Sequence, residues 1–250
     1  MRKILLGISA LFLFACDTNK NEIDDSMFIA ETVATLEYTL IEDYDTNDIV
    51  HKLKYEFDEE GTVISEDFTN FANPQFNYTS FFDYNDDGRV TKEIRNGQLF
   101  KFILWTNNVA KVFDNQNQKL SEFTFVGDKL AKYKTDFDLN NVRIRKLNYD
   151  SNNNIVSIEN ETEVFVEFLD YDTSKTYPLN LIRSIGILRI NSKPFFKNIF
   201  GTEKAYPYEG DDFSFPLTFF NYYYTFDSEN RVHQIEDDKS VIYIQEFIYQ

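Results

Sequence analysis

The chain has 250 residues, of which 42% are hydrophobic, and its 42 acidic and 25 basic residues give a formal net charge of −17. A surface this acidic repels nucleic acids and anionic membrane faces, so we expect no nucleic-acid partner. The 26 Phe and 16 Tyr favour β-strands over helices or disorder.

The N-terminus predicts a processing signal. Arg2 and Lys3 precede the apolar run Ile4–Ala15, which is too short to span a bilayer as a helix and is typical of a signal peptide. The run ends in Leu13-Phe14-Ala15-Cys16, which resembles a bacterial lipobox. That resemblance implies removal of residues 1–15 and attachment of a lipid to Cys16, whereas the alternative is a plain secretory signal.

The mature chain is predicted to have two parts. Residues 16–31 are polar and acidic without periodicity, so we interpret them as a lipidated flexible tether. Residues 32–250 are predicted to form a single domain of β-repeats. Because Cys16 is the only cysteine, no internal disulfide stabilises this domain.

Short strands follow one another from residue 32 onwards. His51–Phe57 shows the clearest alternation, with Leu53, Tyr55 and Phe57 on one face and charged residues on the other. Turn signals recur about every ten residues, the spacing of an antiparallel meander. We therefore predict an all-β fold, an antiparallel meander of repeated hairpins forming a curved or barrel-like sheet, and leave open whether it closes.

One turn design recurs along the chain. A strand with aromatic residues is followed by Asp or Asn, then by Gly or Asn, and then by an apolar residue that starts the return strand. Gly and Asn tolerate the positive φ that a tight turn needs. Aromatic residues before such turns lie 20 to 27 residues apart, which indicates a repeat. The four stretches with this design are 55–63, 82–90, 147–155 and 224–232.

An irregular insertion is predicted over about residues 171–216. Leu179–Leu188 has the apolar spacing of a short helix, and Ser192 is suited to cap a second helical turn over Pro194–Phe200. We expect the insertion to cover an open edge or end of the sheet.

The repeated turns resemble the YD repeat of RHS proteins, an aromatic-x-aromatic-Asp-x-x-Gly-Arg-hydrophobic pattern. Arg89 and Arg231 keep the arginine of that pattern, whereas Thr62 and Asn154 do not. Together with the lipobox, the chain resembles lipoproteins of Bacteroidota that carry degenerate YD-like hairpins and whose function is unknown. The resemblance implies curved or barrel-like sheets and an outer-membrane lipoprotein, facing either the cell surface or the periplasm, but no catalytic residues.

Candidate chemistry in the sequence is sparse. Asp83, Asn85 and Asp87, followed by Gly88, match the start of a calcium loop, but Ile94 stands where the loop needs a carboxylate, so a polar turn is the alternative. No other cofactor is indicated. His51 and His233, the only histidines, would need carboxylate help to bind zinc.

Two further patterns leave alternatives open. Adjacent acids at Asp211-Asp212 and Asp237-Asp238 suit a glycan hydrolase or a solvated surface. Aromatic clusters at 206–208, 213–215 and 219–224 suit either a core or a ligand surface for a sugar or peptide.

From these patterns we predict a lipid-anchored envelope protein with a non-catalytic binding or structural role at the outer membrane. Its partners would be the membrane, through the lipid, and a glycan or a surface protein. A carrier that holds an apolar ligand inside the aromatic sheet is the first alternative, and a glycan hydrolase is the second.

Overall fold

The computed structural model describes residues 33–42, 48–135, 142–160, 164–189, 195–206, 218–238 and 243–250, without the side chains of residues 42, 48, 165 and 243. In these ranges no helix combines the length and apolar character needed to cross a bilayer. The predicted signal peptide, Cys16 and the tether lie outside the described residues.

Sixteen antiparallel strands, each paired with its neighbours in sequence, form a closed barrel. Closure comes from pairing of the last strand with the first, for example Leu36 opposite Tyr249. The predicted all-β meander is therefore confirmed, with the sheet closed. The strands are β1 (Thr35–Glu42), β2 (Asp48–Phe57), β3 (Val63–Asn70), β4 (Tyr78–Tyr84), β5 (Val90–Arg95), β6 (Gln98–Thr106), β7 (Val109–Asp114), β8 (Lys119–Val126), β9 (Lys129–Thr135), β10 (Arg143–Tyr149), β11 (Ile155–Glu159), β12 (Val164–Thr176), β13 (Asn198–Ala205), β14 (Thr218–Phe226), β15 (Val232–Asp237) and β16 (Tyr243–Tyr249).

Five of the described hairpin turns share one geometry. In each, an Asp or Asn side-chain oxygen accepts the backbone N–H groups two and four residues further on, at 2.7–3.1 Å. The residue three further on has positive φ, for example 70° at Gly88 and 65° at Asn230. Four of these turns were predicted from the sequence, and the fifth begins at Asp114. The capping residues are Asp58, Asn85, Asp114, Asp150 and Asp227.

The two ends of the barrel differ in what they carry. In an antiparallel meander alternate turns lie at the same end, so four of the five capped turns share one end, which we call the repeat end. The long connection between β12 and β13 also starts there. The capped turn after Asp114 lies at the opposite end.

Six aromatic side chains each join one hairpin to the hairpin before it. Each lies in the second half of an even-numbered strand and donates a hydrogen bond to a backbone carbonyl in the first half of the preceding odd-numbered strand. We call this set the aromatic clasp. Its donor–acceptor pairs are Tyr84–Val63, Trp105–Val90, Tyr149–Leu130, Tyr171–Ile155, Tyr224–Phe200 and Tyr249–Val232.

Cations lie over three of the clasp rings. The Arg89 guanidinium is 4.9 Å from the Trp105 ring centre, and the Arg231 guanidinium is 4.6 Å from that of Tyr249. Both arginines directly precede the residue whose carbonyl accepts the clasp bond. The arginine of the turn pattern therefore covers the aromatic residue of the next hairpin, a contact worth about 0.5–1 kcal/mol at an exposed site.

We expect Tyr149→Phe to lower the free energy of unfolding by about 1 kcal/mol, because the Leu130 carbonyl loses the hydroxyl that donates to it at 2.8 Å. Denaturant unfolding followed by tryptophan fluorescence measures this change. Tyr223→Phe is the matched control, since the Tyr223 side chain is 60% exposed. Equal losses in the two variants would show that the clasp bond adds nothing to stability.

The barrel interior changes character along its axis. Inward positions near the repeat end are apolar or aromatic, as at Tyr55, Phe82 and Phe123, which are buried. Further towards the opposite end the inward positions become polar, and we call these the polar layer. The polar layer consists of Glu66, Ser80, Glu93, Lys101, Ser121, Thr135 and Arg145.

A kinked 3₁₀-helix, Pro178–Leu188, occupies the apolar half of the interior, and we call Tyr177–Arg189 the plug. The helix deviates from helical geometry at Ile182, with φ −93° and ψ 19°. Its residues are buried on several sides, including Leu179, Ile185 and Leu188. It leaves the wall after β12 and reaches β6 on another side, where Lys101 Nζ donates to the Leu188 carbonyl at 2.9 Å.

The plug confirms the predicted helix at Leu179–Leu188 but changes the expected role of the insertion. Because the sheet closes, the plug fills the interior and covers no open edge. The irregular segment is also shorter than predicted. β12 continues to Thr176, and residues 198–205 form β13, so the predicted helical turn over Pro194–Phe200 is wrong from Asn198 onwards.

Candidate functional site

The tip of the plug brings five charged side chains together inside the barrel. We call Glu66, Glu93, Arg95, Lys101 and Arg189 the ion cluster. Glu66 and Glu93 have no exposed surface, and only 16% of the Arg189 side chain is exposed. Strands β3, β5 and β6 supply four members, while the plug supplies the fifth, Arg189, which lies 123 residues beyond Glu66 and 96 beyond Glu93 in the chain.

Each carboxylate of the ion cluster is tightly held. Glu66 Oε2 accepts Arg189 Nε at 2.9 Å and lies 2.7 Å from Arg189 Nη2, while Glu66 Oε1 accepts the Tyr78 hydroxyl at 2.9 Å. Glu93 Oε1 accepts Arg95 Nη2 at 2.7 Å and the Ser80 hydroxyl at 2.9 Å. These bonds offset the cost of burying two carboxylates, and they fasten the plug to the wall.

Arg95 is held between two rings near the opposite end. Its guanidinium lies 3.6 Å from the Tyr78 ring centre and 3.7 Å from that of Phe100. The stacked rings and the Glu93 carboxylate together keep this side chain in one orientation.

The ion cluster keeps Glu93 ionised. Burial opposes ionisation, but the charges of Arg189, Lys101 and Arg95 outweigh it and lower the pKa of the Glu93 carboxyl. A carboxyl with a lowered pKa is a poor proton donor at neutral pH, so this arrangement suits structural pairing or ligand binding better than general acid catalysis.

We expect the ionisation of Glu93 to make the free energy of unfolding depend on pH in the acidic range. The pKa of the Glu93 carboxyl in the folded chain lies below its ordinary value of 4.5. The stabilising contribution of the ionised carboxylate is therefore present above about pH 4.5, and it is lost as the pH falls through the pKa of the folded chain. Glu93→Gln should cost about 3 kcal/mol at neutral pH and flatten the loss of stability in acid. Denaturant unfolding between about pH 7 and about pH 3 measures both effects.

The matched control for that experiment is Glu60→Gln, because Glu60 lies exposed in the turn after Asp58. It should keep both the neutral-pH stability and the acid profile of the parent chain. A Glu93→Gln profile parallel to the parent's would show that Glu93 carries no perturbed ionisation.

The predicted calcium residues are engaged in the hairpin itself. Asp83 lies in β4 and pairs with Lys92 at 3.1 Å, across the strand pair. Asn85 Oδ1 accepts the N–H groups of Asp87 and Arg89, as in the other capped turns. Among the described residues no group of three or more acidic, Cys or His side chains is arranged for a metal ion.

The two histidines lie on separate strands. His51, on β2, has its ring centre 5.6 Å from that of Phe68, and burial lowers its pKa. His233, on β15, has Nδ1 3.1 Å from the Phe247 carbonyl and Nε2 3.5 Å from Glu246. The structure does not bring the two rings together.

The other candidates are divided between described and undescribed residues. The Asp238 carboxylate accepts the backbone N–H of Asn221 at 2.9 Å and its side-chain amide at 2.6 Å, so it joins the residue after β15 to β14. Asp211-Asp212 and the rings at 207–208 and 213–215 lie outside the described residues, as does Cys16. In the third aromatic cluster Tyr222 is half-buried and its hydroxyl donates to Glu203 at 2.7 Å, whereas Tyr223 is exposed.

Sequence patterns did not identify the ion cluster. Glu66, Glu93 and Lys101 occupy inward positions, where a charge breaks the alternation of apolar and polar residues. A register shift between Glu93 and Ile94 obscures that signal, because the extra residue changes which face each side chain takes. Arg189 directly follows the predicted helix, and no residue near it in the sequence indicated that Glu66 and Glu93 are its partners.

No protein-family model and no curated protein matches the chain. Among solved structures, a porin-like protein from Bacteroides uniformis shares 11% identity with it, at a TM-score of 0.42, covering 87% of this chain and 98% of that one. A porin-like protein from Bacteroides vulgatus shares 9% identity over the same coverage, at a TM-score of 0.34. A chain of the Photorhabdus luminescens Tc holotoxin pore shares 13% identity, at a TM-score of 0.22, covering 85% of this chain and 13% of that one. At these TM-scores the likenesses carry no argument about function.

Proposed function

We propose that this protein is a water-facing β-barrel held at the outer membrane by a lipid on Cys16, with a non-catalytic binding or structural role. The ion pairs on the outer wall of the barrel carry the proposal. The lipobox-like sequence before Cys16 supports the anchor and the compartment.

Charged residues face outwards on several strands, and Lys92 in β5 and Lys111 in β7 are exposed at mid-strand positions. Asp83 and Lys92 lie directly opposite one another at 3.1 Å, and so do Glu167 and Lys204 at 3.0 Å. In a barrel that spans a bilayer the outer wall is apolar, and each Lys or Arg near the midplane costs about 2–4 kcal/mol. The outer wall is therefore suited to water.

The lengths of the strands also favour a barrel that is surrounded by water. A β-strand that crosses a bilayer needs about 9–11 residues. Eight of the sixteen strands in the described chain have only 5–7 residues, and β11 is the shortest with 5.

The interior favours a structural or binding role over the two alternatives. The plug fills the apolar half of the barrel, the place where a carrier would hold an apolar ligand. Glu66 and Glu93, the buried carboxylates of the described residues, are paired with arginines, whereas a glycan hydrolase needs a carboxyl that stays protonated.

Fractionation of cells tests the proposal. One strain makes the parent chain, and another makes residues 17–250 behind a cleavable secretory leader that lacks the lipobox. We expect the parent chain in the outer-membrane pellet and the lipid-free chain in the soluble periplasmic fraction. Retention of the lipid-free chain in membranes after alkaline carbonate extraction would contradict the proposal.

Two controls sharpen that result. Metabolic labelling with an alkyne fatty acid should mark the parent chain and leave the lipid-free chain unmarked. Protease treatment of intact and lysed cells then shows which side the barrel faces. Digestion in intact cells would indicate a surface partner such as a glycan or a protein, and protection until lysis would indicate a periplasmic role.

A further inference from the structure

The described connections at the two ends of the barrel differ in charge. At the repeat end, the capped turns carry exposed acidic residues such as Glu60 and Glu229. At the opposite end, the connections β3–β4, β5–β6 and β7–β8 are residues 71–77, 96–97 and 115–118, and all of these residues are exposed and uncharged. Most of them are Asn or Gln, so we call the three connections the amide face. In a chain with a net charge of −17, an uncharged surface favours an uncharged ligand.

The amide face is one continuous surface. Strands β3 to β8 are consecutive neighbours in the barrel, so adjacent connections lie about 10 Å apart, two strand spacings, and the outer two about 20 Å apart. Asn96 Oδ1 accepts the Thr79 N–H at 3.0 Å, and the Asn96 N–H donates to the Thr79 carbonyl at 2.8 Å. The second connection therefore lies against the start of β4, two residues beyond the end of the first.

The first connection holds two aromatic rings in water. The side-chain oxygens of Asn70 and Asn77 each accept a backbone N–H of the segment 70–77, at 2.7 Å. The Phe71 side chain is 49% exposed, and that of Phe76 is 59% exposed. Because the backbone is already fixed, a ligand that contacts these rings has little loop ordering to offset.

Turn formation accounts for only part of the amides. Asn96 and Asn117 have positive φ, 49° and 65°, which Asn tolerates. Gln116 and Gln118 have no such role, because the Asp114 side chain accepts their backbone N–H groups whatever their side chains are. Within the described part of the chain these two side-chain amides have no hydrogen-bond partner. Each therefore offers two N–H donors and a carbonyl acceptor to a ligand.

We propose that the amide face binds an extended neutral glycan, with sugar rings against Phe71 and Phe76 and hydroxyls bonded to the amides of Gln116 and Gln118. A hydroxyl both donates and accepts, as a side-chain amide does. The C–H groups on one side of a sugar ring carry partial positive charge, which matches the negative face of an aromatic ring. A span of about 20 Å suits several sugar units. The inference rests on the proposed binding role and gives it a ligand class.

A charged ligand or a protein fits this surface less well. The charged side chains next to the connections are engaged elsewhere: Arg95 pairs with Glu93, Asp114 caps the third connection, and Lys119 lies 3.8 Å from Glu122. Protein interfaces are enriched in Tyr, Trp, Phe, Met and Arg, and the amide face contains only Phe of this set.

Native electrophoresis of the full chain in detergent micelles, through gels that contain a polysaccharide, tests this surface. The neutral probes are starch, dextran, laminarin and galactomannan, and polygalacturonate is the anionic control. Serum albumin corrects each gel for sieving. We expect the chain to migrate more slowly with at least one neutral polysaccharide and at its usual rate with polygalacturonate. Unchanged migration in every neutral gel, or equal slowing in polygalacturonate, would overturn the proposal.

Two double variants locate the binding. Phe71→Ala with Phe76→Ala should raise Kd for the retarding polysaccharide about tenfold or more, as expected for the loss of aromatic anchors. Gln116→Ala with Gln118→Ala should raise it about fivefold or more. Phe226→Ala, at a 40%-exposed position at the repeat end, is the matched control and should leave Kd unchanged.

An unchanged Kd in the Phe double variant would overturn the site. An effect of the Phe double variant without any effect of the Gln double variant would indicate an apolar contact, typical of protein docking, and would overturn the glycan. The polysaccharide gels with the parent chain need no variant to fold. Fractionation of the lipid-free chain is independent of all these gels, so failure of the ligand and failure of the proposed function are distinguishable.

Discussion

Replacing Arg189 with Met is expected to lower the free energy of unfolding by about 3–5 kcal/mol, the cost of leaving a buried carboxylate without its partner. Glu66 has no exposed surface and receives two nitrogen atoms of Arg189, at 2.9 and 2.7 Å. The lost bonds also free the tip of the plug from β3 and β5. Denaturant unfolding at neutral pH measures the loss.

Arg183→Met is the control for this variant. Arg183 lies on the same plug, but its partner Asp128 has a side chain that is 64% exposed, so this exposed pair contributes about 0–1 kcal/mol. If Arg189→Met were no less stable than Arg183→Met, the ion cluster would not fasten the plug.

The second large effect concerns the apolar packing beside the plug. We expect Phe196→Ala to cost about 3–5 kcal/mol, because a 1%-exposed ring is removed from a packed interior and leaves a cavity. Its ring centre lies 4.6 Å from that of Phe168 and 4.9 Å from that of Phe200. The Phe196 carbonyl also accepts the side-chain amide of Asn180 at 2.7 Å, so the backbone at Phe196 is joined to the plug.

Phe219→Ala provides the comparison, because the Phe219 side chain is 44% exposed on β14. Both variants are unfolded in denaturant under the same conditions. A cost below about 1 kcal/mol for Phe196→Ala would mean that the plug segment is loosely packed.

The parts of this fold that depend on neighbouring residues were predictable from the sequence. The alternation over His51–Phe57 predicted a strand, and the observed β2, Asp48–Phe57, contains all of these residues. The four predicted turns have a capping side chain and a positive-φ residue within five positions, so their signal is local. The aromatic residues of the repeat were also recognised, although their hydrogen bonds to the preceding hairpin were not.

The parts that depend on distant pairing were not predictable. Closure rests on β1 meeting β16 at the other end of the chain, and alternation within one strand does not reveal its partner. Strand β13 contains Gly201 and lacks clear alternation, and it is defined by its pairing with β12. The ion cluster joins Arg189 to Glu66 across 123 residues, which no motif spacing indicates.

The most direct test of a water-facing, filled barrel uses two adjacent residues of β7. Lys111 is exposed on the outer wall, whereas Val112 points inwards and is 1% exposed. Lys111→Cys and Val112→Cys variants, in native outer membranes opened to the reagent, are treated with a water-soluble maleimide. The parent chain, whose only cysteine is Cys16, gives the background. We predict rapid labelling at position 111 and protection at position 112 until the protein is denatured. Protection at 111 with labelling at 112 would describe a barrel embedded in lipid around a water-filled lumen, and would contradict this account.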